Sequence, residues 1–173
     1  MMGTKIYLIG FMGVGKTSIG KKLAKKIGYT FIDTDKRIEQ KENLSVTEIF
    51  NQKGEAYFRL QEQEILNELQ THENCVISVG GGLPCFFDNI EKMRQNGTVF
   101  YLQSTPENLQ KRLALSKQTR PLLKNLTENE TLSYITSKLN EREKFYLKAH
   151  YIIDTNTNST EEIIESIILL DGI

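Results

Sequence analysis

The sequence predicts an α/β protein built on one five-stranded parallel sheet with helices on both faces. Three observations carry this. Five short apolar runs alternate with segments of helical period, the pattern of a parallel sheet with crossover helices. The unusual residues follow the ends of the first three runs: Gly10 to Thr17, then Asp33 and Asp35, then Gly80 to Gly82. In such sheets ligands sit beyond the carboxyl ends of the strands. Finally, 173 residues with 39% apolar and 25% charged side chains suit a single domain, 1–173, with its own core.

"KIYLIG" (5–10) is a buried-strand pattern ended by glycine. "KTSIGKKLAKKIG" (16–28) sets Ile19, Leu23, Ala24 and Ile27 at helical spacing, with Gly28 as its stop. "YTFID" (29–33) reads as the second strand. Ser45 and Glu48 form a capping box opening a short helix, and a longer helix follows over about 54–70. "CVISV" (75–79) is the third strand, then a helix over about 86–95 leads to "TVFYL" (98–102). Thr105 caps the helix 104–113, with Pro106 in its first turn. Residues 114–125 show no period. "TENE" (127–130) opens a long helix to about 148, "YIID" (151–154) is the last strand, and 159–170 is a final capped helix.

Lys plus Arg equals Asp plus Glu, 22 each, which argues against a nucleic acid as main partner. No run approaches the roughly 18 apolar residues of a membrane span. "MMGTKIYLIGFMG" flows into glycines and a lysine, so it reads as a core strand and not a signal peptide, and a cytoplasmic protein is expected. Cys75 and Cys85 make no disulfide framework and lack zinc-ligand spacing, so both are expected to be structural thiols.

"GFMGVGKT" (10–17) matches G-x-x-x-x-G-K-[ST], the phosphate-binding P-loop, with an apolar strand before it and an amphipathic helix after it. Glycines let backbone N–H groups turn in around an anion, and the helix dipole adds to them. Gly13, Val14, Gly15, Lys16, Thr17 and Ser18 are thus candidate nucleotide ligands, Lys16 for the terminal phosphates and Thr17 for Mg²⁺. The alternative, a plain glycine turn, leaves the full match unexplained. Alternate residues of an extended segment share a face, so Asp33 and Asp35 point to one cleft, where Mg²⁺ and substrate hydroxyls relieve their repulsion. Taken alone, D-T-D reads equally as a cap on the following helix.

These pieces, with "FIDTDKRIE" (31–39), "EAYFRLQE" (55–62), "SVGGGLP" (78–84), "RPLL" (120–123) and "EREKFY" (141–146), resemble the shikimate kinase family almost end to end. The resemblance implies a P-loop kinase fold, a substrate-binding segment over about 33–62 and a mobile lid over about 113–125. It implies transfer of the ATP γ-phosphate to the 3-hydroxyl of shikimate, with Mg²⁺, in the shikimate pathway to chorismate and aromatic amino acids, by a monomer. Position by position, Asp35 holds the acceptor hydroxyls and serves as base, Asp33 sits by the Mg²⁺ water shell, and Arg59 and Arg142 clamp the carboxylate. Gly80, Gly81 and Gly82 line the acceptor, and Arg120 reaches the phosphates from the lid. Arg112 serves the adenine, with Leu113 the competing position. After "IIDT" (152–155), Asn156, Asn158 and Thr160 stand where some members carry Arg and Pro.

Taken alone, Arg59 would be a surface ion-pair residue between Glu55 and Glu62, and Arg142 part of a solvated charge cluster. Lys21, Lys22, Lys25 and Lys26 read as a solvated helix face. Gluconate kinase is the alternative enzyme, and a nucleotide-binding regulator without turnover the alternative outside enzymes. The D-T-D, F-R-x-x-E and R-P-L-L set speaks against the first, the retained Asp35 and arginines against the second.

Overall fold

A computed structural model describes residues 4–115 and 126–173. Its strands are β1 (Lys5–Ile9), β2 (Thr30–Asp33), β3 (Cys75–Ser78), β4 (Thr98–Gln103) and β5 (Tyr151–Asp154). Its helices are α1 (Lys16–Ile27), α2 (Thr34–Glu42), α3 (Val46–Glu68), α4 (Asn89–Asn96), α5 (Pro106–Leu115), α6 (Glu128–Tyr146) and α7 (Thr160–Asp171). The strands form one parallel sheet in the order β2-β3-β1-β4-β5. Every residue of β1 and β3 is buried, as strands covered on both faces require.

Register brings the functional loops together. Asp33 pairs with Ser78 and Leu8 with Ser78, so β1, β2 and β3 end side by side. The loops that follow them therefore share one rim. Local signals hold where they rest on short-range chemistry: Gly28 closes α1 in left-handed geometry, and Ser45–Glu48, Thr127–Glu130 and Ser159–Glu162 all form full capping boxes. Thr105 Oγ1 accepts from Asn108 N–H at 3.3 Å.

As expected, two helices meet inside α3: Gly54 separates them with φ 82° and ψ 167°, which only glycine adopts without strain. Two boundaries differ from expectation. The helix expected from 86 starts at Asn89, because a 3-10 turn, Leu83–Cys85, precedes an extended Phe86 and a left-handed Phe87. Leu113, expected in the lid, and Ala114 and Leu115, expected in the lid and in the aperiodic stretch, instead complete α5. Leu113 is buried against the glycine loop, where a Cβ on Gly13 would meet its Cγ at 2.8 Å. The remainder of the expected lid, Arg120 included, lies outside the described residues.

Candidate active site

The phosphate side is local. The loop from Gly10 to Gly15 delivers Lys16 to the start of α1, 9% exposed. Its Nζ donates to Gly10 O at 2.7 Å and Phe11 O at 3.0 Å, so the ammonium folds over the loop that presents it. Thr17 and Ser18 face solvent. Thr17 Oγ1 donates to Asp33 Oδ2 at 2.9 Å, while Asp33 Oδ1 accepts from Lys36 N–H at 3.3 Å. Asp33 is thus a helix cap through one oxygen and a partner of the phosphate loop through the other. A hydroxyl and a carboxylate are hard oxygen donors of the kind Mg²⁺ takes when phosphates and water fill the rest of its shell. Among the described residues no cluster of three or more His, Cys, Asp or Glu is arranged for a metal.

Arg112 ties this loop to the segment after β5. Its Nη1 donates to Val14 O at 2.9 Å and Thr155 Oγ1 at 3.2 Å, and its Nη2 to Thr155 O at 2.6 Å. The asparagines beyond are engaged within their own loop. Asn156 Oδ1 accepts from Ser104, Thr105 and Asn108, and Asn158 Nδ2 donates to Asp154 O at 2.7 Å.

The acceptor side is assembled from five chain segments. Asp35 comes from the first turn of α2, Arg59 and Glu62 from α3, Gly80–Gly82 from the turn after β3, Arg142 from α6, and Phe11 from the loop after β1. The glycines measure how tightly these meet. A Cβ on Gly80 would lie 2.5 Å from Asp35 Oδ1 and 2.8 Å from Glu62 Oε1. On Gly82 it would lie 2.5 Å from Arg59 Nη1, and on Gly81 3.3 Å from Arg142 Nη1. Any side chain on this turn would thus displace the very groups that face the cleft.

Arg59 is only 8% exposed and Glu62 1%, so the surface ion pair expected of Arg59 alone is in fact a buried one. Arg59 Nη1 donates to Glu62 Oε2 at 2.7 Å; Nε and Nη2 donate to Glu55 Oε1 at 3.2 and 2.8 Å. Burial opposes the Arg59 charge, but Glu62 and Glu55 outweigh it and hold its pKa above the usual value. Burial pushes the Glu62 carboxyl up to about 7, against the pull of Arg59 and with help from the neighbouring Asp35. Arg142 lies over the Phe11 ring, 5.6 Å from its centroid. Burial likewise raises the Cys85 thiol to about 11, leaving it a protonated packing group.

Three supports were not singled out from the sequence as site residues. Glu62 anchors Arg59; its signal is the i,i+3 spacing in F-R-x-x-E. Buried Thr34, the middle residue of D-T-D, accepts from Gly80 N–H at 3.0 Å through Oγ1. Tyr146, one turn after Arg142, donates its hydroxyl to Gly81 O at 2.5 Å. Nothing local marks these last two, whose partners lie 46 and 65 residues away.

The family model for shikimate kinase matches residues 12–170. A shikimate kinase from Parabacteroides distasonis is 44% identical over 163 residues, 94% of either chain. The crystal structure of shikimate kinase from Bacteroides thetaiotaomicron superposes with a TM-score of 0.94 at 38% identity, covering 98% of this chain and 99% of that one. The structure of shikimate kinase from Acinetobacter baumannii in complex with shikimate gives 0.85 at 35% identity, covering 96% and 92%.

Proposed function

Because the chain belongs to the shikimate kinase family, it transfers the γ-phosphate of ATP to the 3-hydroxyl of shikimate, and we propose that Asp35, Arg59, Gly80–Gly82 and Arg142 receive the acceptor. The observation that carries this assignment is the crowding of Asp35, Arg59 and Arg142 around one glycine turn. A polyhydroxy acid needs a carboxylate for its hydroxyls and guanidinium forks for its own carboxylate. One cleft beside the P-loop offers both.

Phosphoryl transfer asks mainly for positioning and charge neutralisation. The backbone N–H groups from Gly13 to Ser18 cradle the phosphates, and Lys16 exchanges its loop carbonyls for phosphate oxygens. Mg²⁺, when bound, would offset phosphate charge, with Thr17 to hold it and Asp33 beside its water shell. Asp35 orients the attacking hydroxyl and takes its proton. Arg59 and Arg142 grip the carboxylate at the far end of the ring, so the hydroxyl meets the phosphate in one orientation. Arg112 carries the base side. Arg120, outside the described residues, is assigned to the transferring phosphate from the R-P-L-L resemblance alone, as is the lid role of the segment around it.

The enzyme works as a cytoplasmic monomer in this reading, without membrane or nucleic-acid partner. No helix among the described residues is long and apolar enough to cross a membrane. The test is ADP release with shikimate, quinate, gluconate or no acceptor at saturating Mg-ATP. Shikimate should stimulate release far above the other three; equal rates with and without it would defeat the assignment.

A further inference from the structure

The turn that lines the acceptor cleft continues in a way the reaction has not yet accounted for. After Gly80–Gly82 the chain winds through the 3-10 turn Leu83–Cys85, with Leu83 N–H donating to Gly80 O at 3.0 Å and Cys85 N–H to Gly82 O at 2.9 Å. Phe86 is extended, φ −114° and ψ 149°. Phe87 then takes φ 51°, a conformation rarely adopted by a bulky L-residue. Phe87 gains little by it, since its side chain stays out, 55% exposed. The fully buried Asn89 locks the far side: its Nδ2 donates to Leu83 O at 3.0 Å and its backbone N–H to Phe86 O at 3.3 Å. What this strained, braced turn achieves is the placement of the Phe86 ring. Its centroid lies 4.3 Å from Arg59 Cζ, whereas Phe58 and Phe50 stand off at 5.6 and 5.7 Å.

We propose that Phe86 is a positioning residue for the acceptor, its ring holding the Arg59 guanidinium in the orientation that receives the acceptor's carboxylate. The inference rests on the acceptor-site reading above. Arg59 has five N–H donors. Three are engaged: Nε and one Nη2 hydrogen on Glu55, one Nη1 hydrogen on Glu62. One N–H remains on each terminal nitrogen, the pair a two-pronged carboxylate needs. Both prongs meet the carboxylate only if the guanidinium plane is fixed. Two of the three anchoring bonds go to one oxygen of Glu55, whose side chain is 57% exposed, so they restrain that plane less than a buried partner would. An aromatic face stacked on the guanidinium fixes its tilt and excludes water from that side, which strengthens the remaining charge interactions. Gly82 leaves the neighbouring space open, since a Cβ there would overlap the same group.

The test measures KM for shikimate and for ATP, kcat and Tm for Phe86→Leu, Phe86→Met and Phe86→Tyr, each alone and combined with Arg59→Lys. Leu and Met should raise the shikimate KM about tenfold, the size of a partly desolvated cation–π contact. The ATP KM should move less than about twofold. Tyr, which keeps the ring face, should restore the shikimate KM. In the Arg59→Lys background, Phe86→Leu should add little, because its effect passes through the fork. The inference is overturned if Leu and Met leave the shikimate KM unchanged, if Tyr is as impaired as Leu, or if Phe86→Leu costs the same factor with and without Arg59. Should the Leu variant not fold, the Met and Tyr pair carries the same comparison. Arg59→Lys alone separates the two failures. If it raises the shikimate KM while the Phe86 variants do not, only the role of Phe86 falls. If it does not, the acceptor-site reading falls with it.

Discussion

Thr17 and Ser18, on the phosphate side of the cleft, are open to solvent, while Arg59 and Glu62, on the acceptor side, are 8% and 1% exposed. In the proposed reading the phosphate side uses backbone dipoles and one lysine from a single loop, and Lys16 is itself only 9% exposed. The acceptor side, in the same reading, uses a buried ion pair and groups drawn from distant segments. Charges out of water interact more strongly and tolerate less. A change on the acceptor side should therefore cost more, and more selectively, than a comparable one on the phosphate side.

The contrast is sharpest at Asp35. Asp35→Asn keeps the shape but loses the proton acceptor, and kcat should fall by about 10²–10⁴-fold with Tm nearly unchanged. Near-full kcat in this variant would reduce Asp35 to a helix residue beside the cleft.

Arginine-to-lysine exchanges on the two sides come next. Arg59→Lys should raise the shikimate KM about tenfold to a hundredfold, since a charge-assisted hydrogen bond left unmade costs about 1.5–3 kcal/mol. Arg112→Lys should raise only the ATP KM, and only severalfold, because its partners are two backbone carbonyls and a hydroxyl, all uncharged. If both variants moved the same KM by similar factors, the division of the cleft into two chemistries would be wrong.

A separate comparison concerns stability against pH. Burial raises the Glu62 pKa to about 7 in the folded protein, from an ordinary value of 4.5. Between those values the folded state binds the extra proton, so stability should decline as pH rises from about 4.5 to 7. Urea unfolding across that range should show this slope in the wild type and lose it in Glu62→Gln. An unchanged slope in the variant would show that Glu62 is already ionised throughout.

What was legible beforehand followed the same divide. The phosphate loop, the capping boxes at Ser45, Thr127 and Ser159, and the Gly28 stop are each written within a few residues, so spacing alone reveals them. Arg59 and Arg142 rest on resemblance, because each has an ordinary local explanation as a surface charge; Asp35 is expected beside Asp33 on an extended segment, but it lies in the first turn of α2, so strand alternation is not what sets its direction. Thr34 and Tyr146 escaped notice, since their bonds to Gly80 and Gly81 exist only once α2 and α6 are docked on the sheet. Phe86, expected to open the helix over about 86–95, lies before it, because the left-handed φ of Phe87 does not continue a helix. The Gly54 break shows the opposite case, where the two helices expected from the sequence are distinct in backbone geometry.

The position of β1 in the sheet has a consequence for how the chain is made. β1 is wholly buried and lies between β3 and β4, so neither neighbour exists when it leaves the ribosome. At about 5–20 residues per second, the stretch up to Ser78 takes roughly 4–15 s to synthesise. For that interval KIYLI is an apolar strand with both edges bare; β3 then covers one edge, and the other waits for β4. Nascent chains arrested before β3 should therefore be held by chaperones or aggregate, and those extended past β4 should not.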